Sequence, residues 1–270
     1  MSPQQRVFGH FLRAALLAAG AFTVSACAND GAGNVDVRAL PDARAKASQE
    51  SDETTALRLA RASRRAGDFE SALNLYRGVL ARKADDKVEV ELGDTLVQAG
   101  APEEAIDVYN KIGLDSPART EALLGLARAY VAIPDASKGL TYADEALARA
   151  PADARVLVTR GVVLDLLQRH AEAQVSYRKV LVSAPHDIAA RNDLALSLAL
   201  AGDYAQAVDI LTPMAKSSLA SPRVRQNLAL VYGMMGDAER AGALDRVDLD
   251  EKATAANLRF YAYLRGSAAD

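Results

Sequence analysis

The sequence predicts an all-α fold, a stack of repeated helical hairpins, on three observations. Turn-forming residues recur at Gly67, Gly100, Pro134, Gln168, Gly202 and Gly236, spaced 33, 34, 34, 34 and 34 residues apart. Five residues beyond each stands a small side chain: Ala72, Ala105, Gly139, Ala173, Ala207 and Ala241. Between the turns, apolar residues return every three or four positions, which gathers them on one helical face. A fixed period of this size marks a solenoid, whose units bury apolar surface only against their neighbours.

One unit, Ile188 to Ser217, shows how the hairpin is written. Leu194, Ala195, Leu198 and Ala201 keep helical spacing, Gly202-Asp203 interrupts it, and Tyr204, Ala207, Val208 and Leu211 restart it. Glycine takes the left-handed conformation that closes a helix, and the aspartate after it caps the next one. Ala60, Gly93, Ala127, Gly161, Ala195 and Ala229 stand where the first helix meets the second closely. Tyr76, Tyr109, Tyr130, Tyr177 and Tyr232 fill what the small residues leave. Pro117, Pro151 and Pro185 end successive units.

This signature resembles the tetratricopeptide repeat over Glu53 to Val247. The resemblance implies a right-handed superhelical solenoid of about six hairpins, closed by a C-terminal capping helix. The sequence departs from the pattern in places. Pro134 and Gly139 replace the usual residues in the third repeat, and Gln168 and His170 do so in the fourth. Pro213, inside a second helix, predicts a kink or a shortened helix, because proline lacks a donor and clashes one turn back. The Ser217–Pro222 connection is longer than its counterparts.

Taken in chain order, residues 1–26 read as a cleaved export signal. Arg6, His10 and Arg13 precede an uncharged run from Ala14 to Val24. That run is shorter than the roughly 20 apolar residues a spanning helix needs. Val24-Ser25-Ala26-Cys27 resembles the lipobox of bacterial lipoproteins, which implies a diacylglyceryl group on Cys27, the only cysteine. The alternative is an ordinary signal peptide in which Cys27 is incidental. Ala28, rather than Asp, follows the cysteine, and by that family's rule this implies the periplasmic face of the outer membrane. Residues 27–52 lack sustained apolar periodicity and read as a flexible tether, 53–247 as the repeats, and 248–270 as the capping helix and tail. Arg58, Arg61, Arg64 and Arg65 form a solvated face of the opening helix.

Catalytic and metal chemistry find little support. Asp68, Asp203 and Asp237 follow turn glycines and fit N-caps, and His170 and His186 have no partner at ligand spacing. Nothing in the sequence forms a phosphate loop, a nucleophile elbow or a paired-carboxylate site, so an enzyme is not predicted and no cofactor is implied. A net charge of −3 gives no argument for nucleic acid, whose binding needs clustered cations.

What remains is a surface lined by the first helices of the hairpins. Its inward positions are Leu124 and Arg128, then Arg155, Val158 and Val162, then Asn192 and Leu196, then Arg223, Gln226 and Leu230. An apolar floor with a polar or cationic rim suits a peptide or helix from a protein partner. Some tetratricopeptide domains hold a terminal carboxylate in a clamp of Lys, Asn and Arg. The matching positions here are Val158, Val162, Asp193, Arg223 and Asn227, which do not compose that clamp.

At the C-terminal end, Asp248-Leu249-Asp250-Glu251 caps a last helix running to about Leu264, with Leu258, Tyr261 and Leu264 on one side. Arg225 to Asp237, Val247-Asp248-Leu249 and Ala256-Asn257-Leu258-Arg259-Phe260-Tyr261 resemble the TadD family. Those are tetratricopeptide lipoproteins of the tight-adherence (Flp, type IVc) pilus system. The resemblance implies a pilotin-like scaffold for pilus assembly, with the secretin or another pilus component as partner. The alternative is a general envelope scaffold that regulates peptidoglycan enzymes or outer-membrane protein assembly.

Overall fold

A computed structural model describes residues 41–133, 135–218 and 220–267, with side chains from Asp52 to Gly266. The signal segment, Cys27, the tether up to residue 40 and Pro134 lie outside the described residues. Among the described residues there are 13 helices and no strand, and the chain forms two compact units that divide after residue 134.

The first unit holds α1 (Pro41–Arg65), α2 (Phe69–Leu80), α3 (Asp86–Gln98), α4 (Pro102–Asn110) and α5 (Arg119–Ala132). Helices α1 and α2 pair as one hairpin and α3 and α4 as the next, while α3 packs on both α2 and α5. Helix α1 begins at Pro41, so residues 41–52, expected as tether, are helical. The reason is local: the stretch is rich in Ala, Lys, Arg, Glu and Gln, all good helix formers, and proline is tolerated in a helix's first turn.

The second unit holds α6 (Ala136–Arg149), α7 (Ala154–Leu166), α8 (His170–Ser183), α9 (Ile188–Leu200), α10 (Tyr204–Ala215), α11 (Pro222–Met235), α12 (Ala238–Asp248) and α13 (Glu251–Ser267). Successive helices pack in pairs, and α9 lies against both α7 and α11. Leu157, Val180 and Ala190 form a core joining α7, α8 and α9. The capping helix α13 packs on α11 and α12, burying Tyr261 and Leu264.

The turns follow one plan. Gly67, Gly100, Gly202 and Gly236 have φ between 80° and 90°, and Gln168 reaches 62° at the same place. Each donates its N–H to the carbonyl three residues back, and the next residue donates to the carbonyl five back at 2.9 Å. This double bond satisfies carbonyls that would otherwise be orphaned at the helix end. Asp68, Asp203 and Asp237 then cap the following helices, accepting from the N–H of Ser71, Gln206 and Arg240. Asp85, Asp153 and Asp187 do the same after the longer connections, and Asp135 caps α6.

Helix α10 continues through Pro213 to Ala215, so the proline does not shorten it. It stands two residues before the helix end with its ring exposed, which limits its cost to the last turn. The longer connection after it is anchored by Arg225, whose guanidinium donates to the Ala220 carbonyl at 2.7 Å and pairs with Asp248.

Candidate protein-binding surface

In the second unit the first helices α7, α9 and α11 lie side by side, because the small residues Gly161, Ala195 and Ala229 are buried where each meets its neighbours. Their outward positions carry Val158, Val162, Leu196 and Gln226, all half-buried. Val158 packs its inner edge on the Leu157–Val180–Ala190 core. Arg155 is exposed and folds back on the cap Asp153, 2.6 Å away. Arg223 is half-exposed and pairs with Asp193 at 3.1 Å.

Three expected surface residues are packed instead. Leu124 is 2% exposed, Asn192 2% and Leu230 5%. Asn192 accepts from the Asn227 amide at 2.8 Å and donates to Asp193, so it is a tie between α9 and α11. Leu230 sits on α11, the helix on which α13 packs. In the first unit, Arg128 is spent on a pair with Asp94 at 2.6 Å, and Asp94 also accepts from the Tyr109 hydroxyl at 2.6 Å. Burial and the Asp94 carboxylate hold the Tyr109 phenol well above its ordinary pKa.

Beneath the outward face of the second unit runs a polar seam that sequence reasoning missed. Asp165 accepts from Ser197 Oγ at 2.7 Å, from the Tyr177 hydroxyl at 3.0 Å and lies 2.8 Å from His170 Nδ1. His170, a departure from the repeat pattern in the sequence, therefore makes a specific polar contact. Asp193 follows along the seam, its carboxyl pushed up to about 6 by burial, against the opposing pull of Arg223. The partners in these contacts are 5 to 35 residues apart in sequence, and the repeat period alone contains no signal for them.

Ser197, His170 and Asp165 are the residue types of a hydrolase triad, but their bonding order excludes that chemistry. A nucleophilic serine must bond to the histidine, which takes its proton. Here Ser197 Oγ donates to the aspartate, and Ser197 is fully buried. Among the described residues, no group of three His, Cys, Asp or Glu side chains could hold a metal, and no helix is long and apolar enough to cross a membrane.

Comparison with known proteins agrees with this architecture. The tetratricopeptide repeat family profile matches residues 57–119 and 124–188. A tetratricopeptide repeat protein of Parabacteroides merdae ATCC 43184 superposes with a TM-score of 0.65 at 15% identity, covering 81% of this chain and 88% of its own. A chain of the APC/C Cut9–Hcn1 hetero-tetramer gives 0.63 at 16% identity, covering 81% and 43%. At these identities the likeness concerns the fold. The protein y4yS of Sinorhizobium fredii is 33% identical over 90 residues, and the chain spans about half the length of that relative, 50%.

Proposed function

We propose that this chain, whose residues 57–119 and 124–188 match the tetratricopeptide repeat profile, is a protein-binding scaffold, a lipid-anchored adaptor of the outer membrane that serves assembly of a Flp (tight-adherence) pilus. The observation that carries the binding role is the outward face of α7, α9 and α11. Val158, Val162 and Leu196 give it an apolar centre, Gln226 a polar edge, and Arg155 and Arg223 cationic flanks. Such a face takes an extended or helical segment of a protein partner, here the secretin or another pilus component. The envelope role is supported by Val24-Ser25-Ala26-Cys27 and by the TadD-like stretches between Arg225 and Tyr261.

A lipid anchor changes what this face has to achieve. Each buried methylene contributes about 0.8 kcal/mol, and two or more acyl chains anchor stably where one does not. Confinement to one leaflet raises the local concentration of the face around a membrane partner, so modest intrinsic affinity suffices. Deleting the gene is expected to reduce secretin multimers in the outer membrane and abolish pili, with both restored by the wild type and not by Cys27→Ala. Normal multimers and pili in the deletion strain overturn the pilus role.

A further inference from the structure

The first unit contains a second recessed surface, on the side of the second helices. Helix α3 packs on both α2 and α4, and the first helices α3 and α5 pack on each other. The second helices α2 and α4 touch little, so a trough of about 420 Å³ opens between them. Leu80, Leu92, Leu96 and Val108 form its apolar surface. Leu92 and Leu96 are buried in the floor, while Leu80 and Val108 stand half-exposed on the walls. An ion pair between Arg77 and Glu104, 3.1 Å long, crosses from α2 to α4.

The remaining charge around the trough is unbalanced. Glu89 and Asp107 line it without an ion pair, while Lys111 lines it as the other cation. Burial raises the Glu89 carboxyl above its ordinary range and Asp86 adds to the rise, against the pull of Lys111, with a smaller push from Asp85. That end of the trough thus holds a partly desolvated carboxylate with Asp86 and Asp85 on one side of the balance and Lys111 on the other. A cation placed there relieves the desolvation and the repulsion together. The size falls within the usual range for ligand sites, but the trough is open rather than enclosed, and half of its lining is charged.

We propose that the trough between α2 and α4 docks a basic amphipathic segment of a partner protein, seating aliphatic side chains on Leu80, Leu92, Leu96 and Val108 and a lysine or arginine beside Glu89 and Asp107. Aliphatic anchors on one helical face with cations at its border match this arrangement of floor and rim. The site is separate from the face of α7, α9 and α11 and does not depend on the pilus role.

The test uses the full chain in mild detergent and a fluorescein-labelled peptide of about fourteen residues, with leucines at i, i+3 and i+7 and lysines beside them. Fluorescence anisotropy is expected to show saturable binding. The same peptide with Glu in place of Lys is expected to bind at least about tenfold more weakly. Glu89→Gln with Asp107→Asn removes the charge without adding bulk and is expected to weaken the lysine peptide by about tenfold while the circular dichroism spectrum and Tm are kept. Val182→Ala, at an exposed position of α8, is expected to leave it unchanged. No binding up to about 1 mM, equal binding of both peptides, or indifference to the double variant overturns the proposal. Sedimentation supplies a further arm: if the chain self-associates and Val108→Lys dissociates it, the trough is occupied by a second copy, and the proposal fails.

Discussion

The Tyr109 seat in the first unit and the Tyr261 seat in the second solve one packing problem with the parts exchanged. Tyr109 stands on the second helix α4, fully buried, with Gly93 of α3 and Gly125 of α5 facing its ring. Its hydroxyl donates to Asp94 on the first helix α3. The equivalent place on α12, four residues past Ala241, holds not an aromatic but Asp245, fully buried. There the phenol comes from the capping helix: Tyr261 faces Gly233 of α11 and donates to Asp245 at 3.2 Å. Both seats keep a glycine on a first helix, a ring and a carboxylate, and the helices that supply the ring and the acid have changed. The difference teaches how the stack ends. An interior hairpin offers its ring to the next repeat, whereas the last one offers an acid and receives the ring from the cap, closing the open end that a solenoid otherwise exposes.

The sharpest way to break the comparison is to fill the glycine side of the seat. A Cβ at Gly93 would lie 2.5 Å from Tyr109 Cε1, and one at Gly125 would press still closer on the same ring. Both glycines are helical, so alanine gains about 1 kcal/mol of propensity at the position. Overpacking a buried ring that has no room to turn costs typically 1–3 kcal/mol, which outweighs that gain. Gly125→Ala is expected to lower stability by up to about 2 kcal/mol in chemical unfolding. Gly78, helical, exposed and with nothing within 4 Å of its would-be Cβ, serves as the control. Gly78→Ala is expected to raise stability by about 0.5–1 kcal/mol. If both changes stabilise, the ring does not depend on its glycine seat.

Removing the hydroxyls sharpens the difference between the seats. After Tyr109→Phe, Asp94 retains Arg128 at 2.6 Å, so the expected cost is that of one hydrogen bond, about 1 kcal/mol. After Tyr261→Phe, buried Asp245 retains only the Asn257 amide at 3.2 Å, and the expected cost near neutral pH is larger, about 1–3 kcal/mol. The two should also part with pH. Burial raises the Asp245 carboxyl above its unfolded value, against the pull of Asn257 and Tyr261. In the window above that unfolded value the fold binds more protons than the unfolded chain, so stability falls as pH rises. Losing the Tyr261 donor widens that window upward, and the penalty of Tyr261→Phe should shrink on acidification as Asp245 protonates. Denaturant titrations from pH 4 to 8 measure it, and equal penalties at both tyrosines throughout would erase the distinction.

Much of this was legible in the sequence because it is periodic. Turn position, small residues and caps recur every 33 or 34 residues, and each has a local cause in helix termination or close approach. Tyr76, Tyr109 and Tyr177 occupy the expected place on second helices, but Tyr130 and Tyr232 stand on first helices. An aromatic near the right spacing is not distinguished from the true position by composition. The start of α1 was missed because helix propensity without an apolar face leaves no periodic trace. The polar seam was missed for a different reason. Ser197 meets Asp165 across 32 residues, and the serine lies on the side of α9 that faces another helix rather than solvent. Asn192 and Leu230 were placed on the surface by the same projection, which assigns a face but not what covers it.

The smallest effect tests the turn plan itself. Gln168 alone among the described residues combines a side chain with positive φ, 62°, at the position where four glycines stand in other repeats. Its bonds match theirs: Gln168 N–H to the Asp165 carbonyl at 3.0 Å and Arg169 N–H to the Leu164 carbonyl at 2.9 Å, as Gly100 and Ala101 bond to Val97 and Leu96. The geometry is therefore fixed by the helix ending, and glutamine bears the left-handed strain, about 1–2 kcal/mol for a residue with a Cβ. Gln168→Gly removes that strain but adds about 0.5–1 kcal/mol of unfolded-chain entropy. The balance is a gain of about 0.5 kcal/mol, read as a small rise in the unfolding midpoint. Gly100→Ala, the reverse exchange at a site with open space around the would-be Cβ, should lose about 1 kcal/mol. Opposite signs at these two turns would show that backbone conformation, and not side-chain contact, sets the residue at each hairpin corner. A loss at Gln168 would mean that its exposed side chain contributes something the bonds at the turn do not reveal.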